Sequence, residues 1–354
     1  MAALKWAHTG KRFTIYRFSP EIRDEIKRYN RSDNWHALLA WAHDMAWMVA
    51  CGAACYFVSW WLYPLAVLII GARQRGLSTI LHDCAHGVGA SNKRLQMTIG
   101  TVFTAYPIFQ QHYAYKVSHV LTHHPRLGDP ERDPDLKFFI EQKVYTPTSA
   151  TRYFNRIVVL PALGSQTVAY VRYLVRNRFQ VLRDGNRSGA LTAEHVPSLK
   201  KNLDRAAFWI FWGVIVGVAW QLGGLGLLAL FWVIPYLTSF QILGWYIELS
   251  EHTPLVRDHD VDLYMTRNRK SRGLERFLTG IHNDHFHLDH HLDPRTPFWN
   301  LPKTHRVRLA DPHYAQLDAM TGGLVTKGPQ GAVSAISSIV TQLSTSREFD
   351  RVIG

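Results

Sequence analysis

The sequence predicts an all-α integral membrane protein: four transmembrane helices in two hairpins, with a cytoplasmic helical cap that holds a histidine-rich di-metal site. Three observations predict it. Two long windows, between Arg31 and Arg73 and between Arg205 and Arg257, contain no Lys or Arg, although the 354-residue chain has 40 of them. The formal charge of +13 is therefore concentrated in the remaining segments, a pattern that membrane topology produces and that argues against nucleic acid as a partner. Nineteen histidines complete the picture, because the tightest groups of them fall at the ends of the apolar windows.

Residues 1–35 are polar and basic, with no apolar run leading to a small-residue cleavage site, so they read as a cytoplasmic N-terminal segment without a cleaved signal. Residues 36–81 hold the first hairpin, with spans from Met45 to Tyr63 and from Pro64 to Leu81, each near the roughly 20 residues that cross a bilayer core. Pro64 suits the first turn of a helix, where its missing N–H is no loss, and Trp60, Trp61 and Tyr63 form an interfacial aromatic belt around the turn. Residues 82–205 form a cytoplasmic or interfacial segment. Its apolar stretches, Met97 to Phe109 and Ile157 to Val171, are short for a span and read as interfacial or re-entrant helices. Residues 206–247 repeat the hairpin, with Ala206 to Trp220, a QLGGLG turn and Leu225 to Ile247. Residues 248–354 are the cytoplasmic C-terminal segment, in which the weakly amphipathic AVSAISSIVTQL has no assigned role. Both hairpin turns lack Lys and Arg, so the termini, the middle segment and the site belong on the cytoplasmic side. Cys51, Cys55 and Cys84 have neither metal-finger spacing nor the look of a disulfide framework.

The histidine spacing carries the chemistry. His82 and His86 stand at i and i+4, so one helical face presents both rings to a single point. His119, His123 and His124 repeat that spacing and add an adjacent ring. His252 follows the fourth span, and His287, His290 and His291 supply i, i+3 and i+4. An isolated histidine near a membrane is ordinarily a packing or surface residue. Nine in clusters would repel one another on protonation, whereas metal ions use their neutral lone pairs. Nine ligands exceed one tetrahedral zinc and suit two ions with four or five nitrogens each. Imidazole suits Zn, Cu, Fe and Ni alike, so spacing leaves the metal open. A zinc hydrolase is disfavoured by Asp83, which stands where an H-E-x-x-H helix needs its Glu. A metal transporter is disfavoured because the clusters lie at span ends and not at the bilayer midplane.

HDCAHG, HVLTHH and FHLDHHLDPRTPFWNLPKTH resemble the three histidine boxes of the integral-membrane fatty acid desaturase and hydroxylase superfamily, from about Gly71 to His305. The resemblance implies that the nine histidines, His82, His86, His119, His123, His124, His252, His287, His290 and His291, are ligands of a non-haem di-iron centre, with His252 the single ligand after the fourth span. It also implies O2 as co-substrate and desaturation of a fatty acyl chain. Alternatives are hydroxylation of an alkyl or acyl chain, or oxidation of a small polar metabolite; Glu251 beside His252 resembles the Glu-His pair of membrane alkane hydroxylases. A cytochrome b5 His-Pro-Gly-Gly signature and a cysteine set for an iron–sulfur cluster are absent. The chain would hold no haem, and electrons would come from a separate ferredoxin, rubredoxin or cytochrome b5 with its reductase. His282 and His285 blur the register of the third box, and they, His112 and His305 remain unassigned.

Around this site, Asp83, Glu251 and Asp289 are candidates to accept the outer N–H of ligating imidazoles and fix their tautomers, against the alternative of solvated or capping carboxylates. Arg73, Gln74 and Arg75 fall deep in the second span. The favoured reading takes this helix past the bilayer and leaves the arginines near cytoplasmic headgroups; the alternative makes Arg73 and Arg75 a grip for a substrate carboxylate or phosphate, which favours a shorter, amino-acid-like substrate. The acidic run GDPERDPD reads as a solvated turn. The basic cytoplasmic surface suits anionic lipid headgroups and an acidic redox protein.

Overall fold

A computed structural model describes residues 12–176 and 196–344; residues 1–11, 177–195 and 345–354 of the polar segments lie outside the described residues. The regular elements among the described residues are helices, and one isolated bridge joins Thr14 to Val261. Helix α1 (Pro20–Tyr29) starts where Ser19 accepts the Ile22 N–H and Pro20 fills the first turn. It buries Ile22 and Ile26 in a cluster with Leu288 and Tyr314, which ties the N-terminal segment to the third histidine box.

Helix α2 (His36–Phe57) begins nine residues before the expected Met45, because Asp33 accepts the Trp35 and His36 N–H groups at 3.1 Å and so caps a start inside the polar flank. It ends at Phe57, and Ser59 caps a 3-10 turn, Trp60–Leu62, that leads into α3 (Tyr63–His86). Pro64 occupies the first turn of α3 as expected, and Gly87 ends the helix in a left-handed conformation (φ 91°) that returns its N–H to the last carbonyls.

Among the described residues, three helices are long and apolar enough to cross a membrane: α2, α9 (Ser198–Gln221) and the run α10 (Leu225–Asp258). Between α3 and α9 come α4 (Lys93–Thr98), α5 (His112–Tyr115), α6 (Pro134–Glu141), α7 (Ala150–Ala162) and α8 (Thr167–Val175). Helices α7 and α8 make a bent pair, 73° apart, which has the shape of a broken span or re-entrant loop and would be a fourth crossing if it is one span. The 97–109 stretch breaks into short pieces: the end of α4, a π-turn Ile99–Phe103 and a 3-10 turn Tyr106–Ile108. Exposed Phe57, Trp209, Ile210, Val214 and Trp220 give α2 and α9 the apolar outer faces that a bilayer requires.

Helix α3, the expected second span, is not among those three, and its surroundings explain why. Ile70, Ala72, Arg73, Gln74, Leu77, Ile80 and Leu81 are all buried in protein. A Cβ on Gly71 would stand 2.6 Å from the Phe240 nitrogen and one on Gly76 would strike Asp44, so α10 and α2 press directly on its backbone. A helix wrapped by its neighbours does not need a lipid-compatible surface. This overturns the expectation that Arg73 and Arg75 reach headgroups. Arg73 donates to the Phe277 carbonyl, lies 3.5 Å from Asp44 and stacks 4.4 Å from the Phe277 ring, while Gln74 donates to the Trp232 carbonyl at 3.0 Å.

Beyond α10, the short helices α11 (Gly273–Thr279), α12 (His287–Leu292), α13 (Leu301–Arg308) and α14 (Pro312–Ala319) carry and brace the third box. Helix α15 (Ala335–Leu343), the C-terminal run left without a role, buries Ile336, Ile339 and Leu343 in the main core.

Candidate metal centre

The end of α3 supplies the first two rings. His82 and His86 project from successive turns of one face, with ring centroids 4.7 Å apart. Helix α5 continues as a π-turn, Lys116–His123, and this widened stretch carries His119 and His123 directly before His124. The consecutive rings His123 and His124 stand nearly perpendicular, at 83°, and serve different groups. Helix α12 divides its histidines in the same way, because His287 and His291 share a face that His290 leaves.

Two clusters result. Donor nitrogens of His82, His86, His119, His124 and His290 all lie within 4.8 Å of one another, as do those of His123, His252 and His291. His287 joins the second group through Nε2 contacts of 3.1 Å to both His252 and His291, and His290 meets His124 at the same distance. All nine sequence-predicted histidines are therefore brought together, five on one side and four on the other. Their chemistry fits two metal ions. The Nε2 atoms of His82 and His86 are buried without a hydrogen-bond partner, which is costly for a ring nitrogen unless an ion takes its lone pair. Nitrogens bound about 2.1 Å from one ion lie roughly 3.0–3.4 Å apart, which accommodates the 3.1 Å pairs. Burial, and then neighbouring imidazoles, hold the pKa of His124, His290 and His291 well below the ordinary value, so these rings are neutral and able to ligate.

The groups behind the rings differ in part from expectation. Glu251 Oε2 lies 3.4 Å from His287 Nε2, the nitrogen that also meets His252 and His291, so it stands on the metal-facing side of that ring and not at its outer N–H, and its other oxygen meets Arg269 at 3.2 Å. Asp83 lies 3.4 Å from His82 Nδ1 and accepts the Phe298 N–H at 2.7 Å, which joins α3 to the segment following the third box. Asp289 is a correction. It touches none of the nine rings among its recorded bonds; it accepts from Arg308 (2.5 Å), Tyr314 (2.6 Å), Asn268 (2.7 Å) and His305 (3.2 Å). Burial would raise its pKa, but Arg308, His305 and Tyr314 prevail and hold the carboxyl low, as an anionic post that fixes α12 against α13 and α14.

Two other groups, missed in the sequence, do orient predicted ligands. His123 Nδ1 donates to Asp133 at 2.9 Å, and His252 Nδ1 is hydrogen-bonded to the Thr266 hydroxyl at 2.6 Å. Asp133 belongs to the acidic run, so the solvated-turn expectation fails there: it is buried, and it also caps α6 by accepting the Asp135 N–H at 3.0 Å. The signal was present, since Asp followed by Pro is a helix-start pattern. Thr266 is separated from His252 by fourteen positions and had no local signature. The unassigned histidines find other partners: His282 binds Asp44 (2.7 Å), His112 the Gly100 carbonyl (3.1 Å), and His305 Tyr314 (2.7 Å), while His285 is buried with its carbonyl accepting from Arg269.

A cavity of about 90 Å³ opens beside the rings. Of its lining side chains only Leu81, Ile108, Phe139, Leu174, Phe240 and Ile247 are apolar; Arg75, Glu248, Glu251, Asp135, Asp284 and Gln110 are among the rest. Arg75 lies 3.2 Å from Glu248. Arg73, two positions away and so about 200° around the helix, lines a separate cavity with His43, Arg276 and His282.

A helical protein with apolar outer faces and nine converging imidazoles has helices that could span a membrane and histidine clusters that could hold metal ions. Sequence comparison gives the family. The fatty acid desaturase family model matches residues 58–319, and the chain belongs to that family. It is 45% identical to dihydrorhizobitoxine desaturase of Bradyrhizobium elkanii over 94% of this chain and 92% of that protein. It is 28% identical to the sn-1 acyl-lipid omega-3 desaturase (ferredoxin) of Synechocystis, over 70% of this chain and 67% of the relative. It is 25% identical to the acyl-lipid omega-3 desaturase (cytochrome b5) of Arabidopsis thaliana, over 70% and 64% of the two chains.

Proposed function

We propose that this protein is an O2-dependent di-iron desaturase of a small polar metabolite, a single membrane domain with its termini and histidine site on the cytoplasmic side. The carrying observation is the Arg75–Glu248 ion pair inside the cavity at the rings, whose lining mixes polar and apolar side chains. An acyl chain in that space would cover ionic groups without replacing their hydrogen bonds, at a cost that a polar substrate avoids. The relative with 45% identity supports the same reading, since its name gives dihydrorhizobitoxine and not an acyl lipid as what it desaturates, and it matches nearly end to end. This reading prefers the small-metabolite alternative to the fatty acyl substrate that the histidine boxes suggest by resemblance.

His82, His86, His119, His124 and His290 would hold one iron, and His123, His252, His287 and His291 the other. When bound, the pair supplies O2 activation and removal of hydrogen from an unactivated C–H. The protein's part is positional. Asp133, an obligate acceptor, fixes the tautomer of His123, and the Thr266 hydroxyl orients the His252 ring, so that Nε2 of each faces inward. Arg269 holds Glu251 beside His287. Arg75 and Glu248 orient the substrate, and placement of its C–H decides between a double bond and an alcohol. Electrons come from a separate protein; the names of two relatives specify ferredoxin and cytochrome b5.

The test is co-expression with a ferredoxin and its reductase, followed by mass spectrometry of both lipid and water-soluble pools. A polar metabolite lighter by two hydrogens supports the reading. New unsaturated acyl chains with an unchanged soluble pool refute it, and an added oxygen indicates hydroxylation.

A further inference from the structure

The cavity has more in it than polarity. Arg75 projects from α3 two turns before His82, about 10 Å by helical rise, and Glu248 projects from α10 one turn before His252, about 6 Å. Their 3.2 Å contact thus bridges the two helices at a set distance from both histidine groups. The guanidinium lies over the Phe240 ring, 5.2 Å from its centre. Opposite, position 244 is glycine, and a Cβ there would stand 3.0 Å from both Arg75 Nη1 and the Tyr170 hydroxyl. That hydroxyl donates to Glu248. The neighbourhood is therefore shaped for one guanidinium and one carboxylate.

The cavity's other acids are engaged elsewhere. Glu251 and Asp284 meet Arg269 at 3.2 and 2.7 Å, and Asp135 lies within 3.7 Å of His119 and His123. The pair is only partly covered and faces the cavity, where an ion pair gains little on its own and is open to a ligand that adds to it. A lone carboxylate would bind Arg75 but be repelled by Glu248, and a lone ammonium would meet the reverse. A molecule with both charges lies antiparallel on the pair and satisfies each, with the planar fork of Arg75 receiving the carboxylate.

We infer that the substrate is a zwitterion with ammonium and carboxylate close together, as in a free α-amino acid, and that Glu248 and Arg75 receive those groups. The inference rests on the polar-metabolite reading above and narrows it. It is tested on the iron-loaded protein in lipid nanodiscs by calorimetric titration with norleucine, hexanoate and hexylamine, three probes that share a short alkyl chain. Norleucine is expected to bind at least about tenfold tighter than either singly charged probe. Glu248→Gln and Arg75→Gln should each weaken norleucine roughly tenfold to a hundredfold, while Glu248→Gln leaves hexanoate unchanged or tighter. Where Arg75→Gln does not give folded protein, Arg75→Lys keeps the charge and should lose less. Equal affinity for hexanoate and norleucine, no norleucine binding, or unaltered norleucine affinity in Glu248→Gln overturns the zwitterion. The metabolite profile of expressing cells separates the two ideas: desaturated soluble compounds without these binding effects leave the polar-metabolite reading standing, and desaturated lipids remove it as well.

Discussion

Asp133 performs two tasks with one carboxylate, and replacing it in two ways separates them. Its Oδ1 accepts from His123 Nδ1 at 2.9 Å and from the Asp135 and Leu136 N–H groups at 3.0 and 3.3 Å, while Oδ2 accepts from Gly128 at 3.0 Å. Asn is as good a helix cap as Asp, but its NH2 replaces the oxygen that accepts from Gly128, so Asp133→Asn should cost about 1–3 kcal/mol of fold stability. It also withdraws the negative charge behind a proposed ligand, a change that typically weakens metal binding 10–100-fold. Asp135 Oδ2 lies 3.4 Å from the same ring nitrogen and compensates in part, which places the expected loss near the lower figure, about tenfold. Asp133→Ala removes the cap, about 1 kcal/mol, and strands buried N–H groups at about 1–3 kcal/mol each, so about 3 kcal/mol or more is expected. The assay is iron content by mass spectrometry against graded chelator, alongside thermal unfolding of the metal-free protein. Asn and Ala variants that lose iron and stability in the same proportion would refute the argument, as would an Asn variant with wild-type iron retention.

Three further outcomes follow from other contacts. Thr266→Val removes the 2.6 Å bond to His252 Nδ1 at nearly constant volume, and iron affinity should fall about tenfold in the same chelator titration while Thr266→Ser restores it. Burial, above all, pushes the His112 pKa down to about 4, so the unfolded chain takes up a proton at this ring near pH 6.5 when the folded one does not. Stability contributed there is present above pH 6.5 and is lost as pH falls toward 4; His112→Gln should flatten the pH profile of thermal unfolding over that window by an amount on the order of 3 kcal/mol, and a parallel profile would count against it. Gly71→Ala would drive a methyl into Ser239 and to 2.6 Å from the Phe240 nitrogen, and should lower unfolding free energy by about 1–3 kcal/mol; an unchanged melting temperature would refute the close α3–α10 approach.

The histidine constellation was legible in the chain because its information is local: i, i+3 and i+4 spacings on short helices already state which rings share a face. The clusters place all nine within reach of two ions. Charges were harder to read. Arg73 looked like a headgroup residue because its partners, Asp44 and Phe277, come from distant parts of the chain and no window around residue 73 contains either. Asp289 sits among three proposed ligands in sequence yet bonds Arg308 and Tyr314, since alternation around a short helix turns it away from the rings. The start of α2 was misplaced because a window without Lys or Arg measures compatibility with lipid, whereas Asp33 decides where the backbone begins to coil. Asp133 was within reach, its Asp-Pro pattern being a local signal that the acidic composition of the run concealed.

Between His82 and His291 lie 209 positions of polypeptide. At about 5–20 residues per second, roughly 10–40 s separate their synthesis. The first proposed coordination set is complete only once His290 has been made, and the second only once His291 has. Completion of the proposed iron sites would thus be a terminal step in biogenesis, since a nascent chain stalled before its final quarter carries four nitrogens of one set and two of the other.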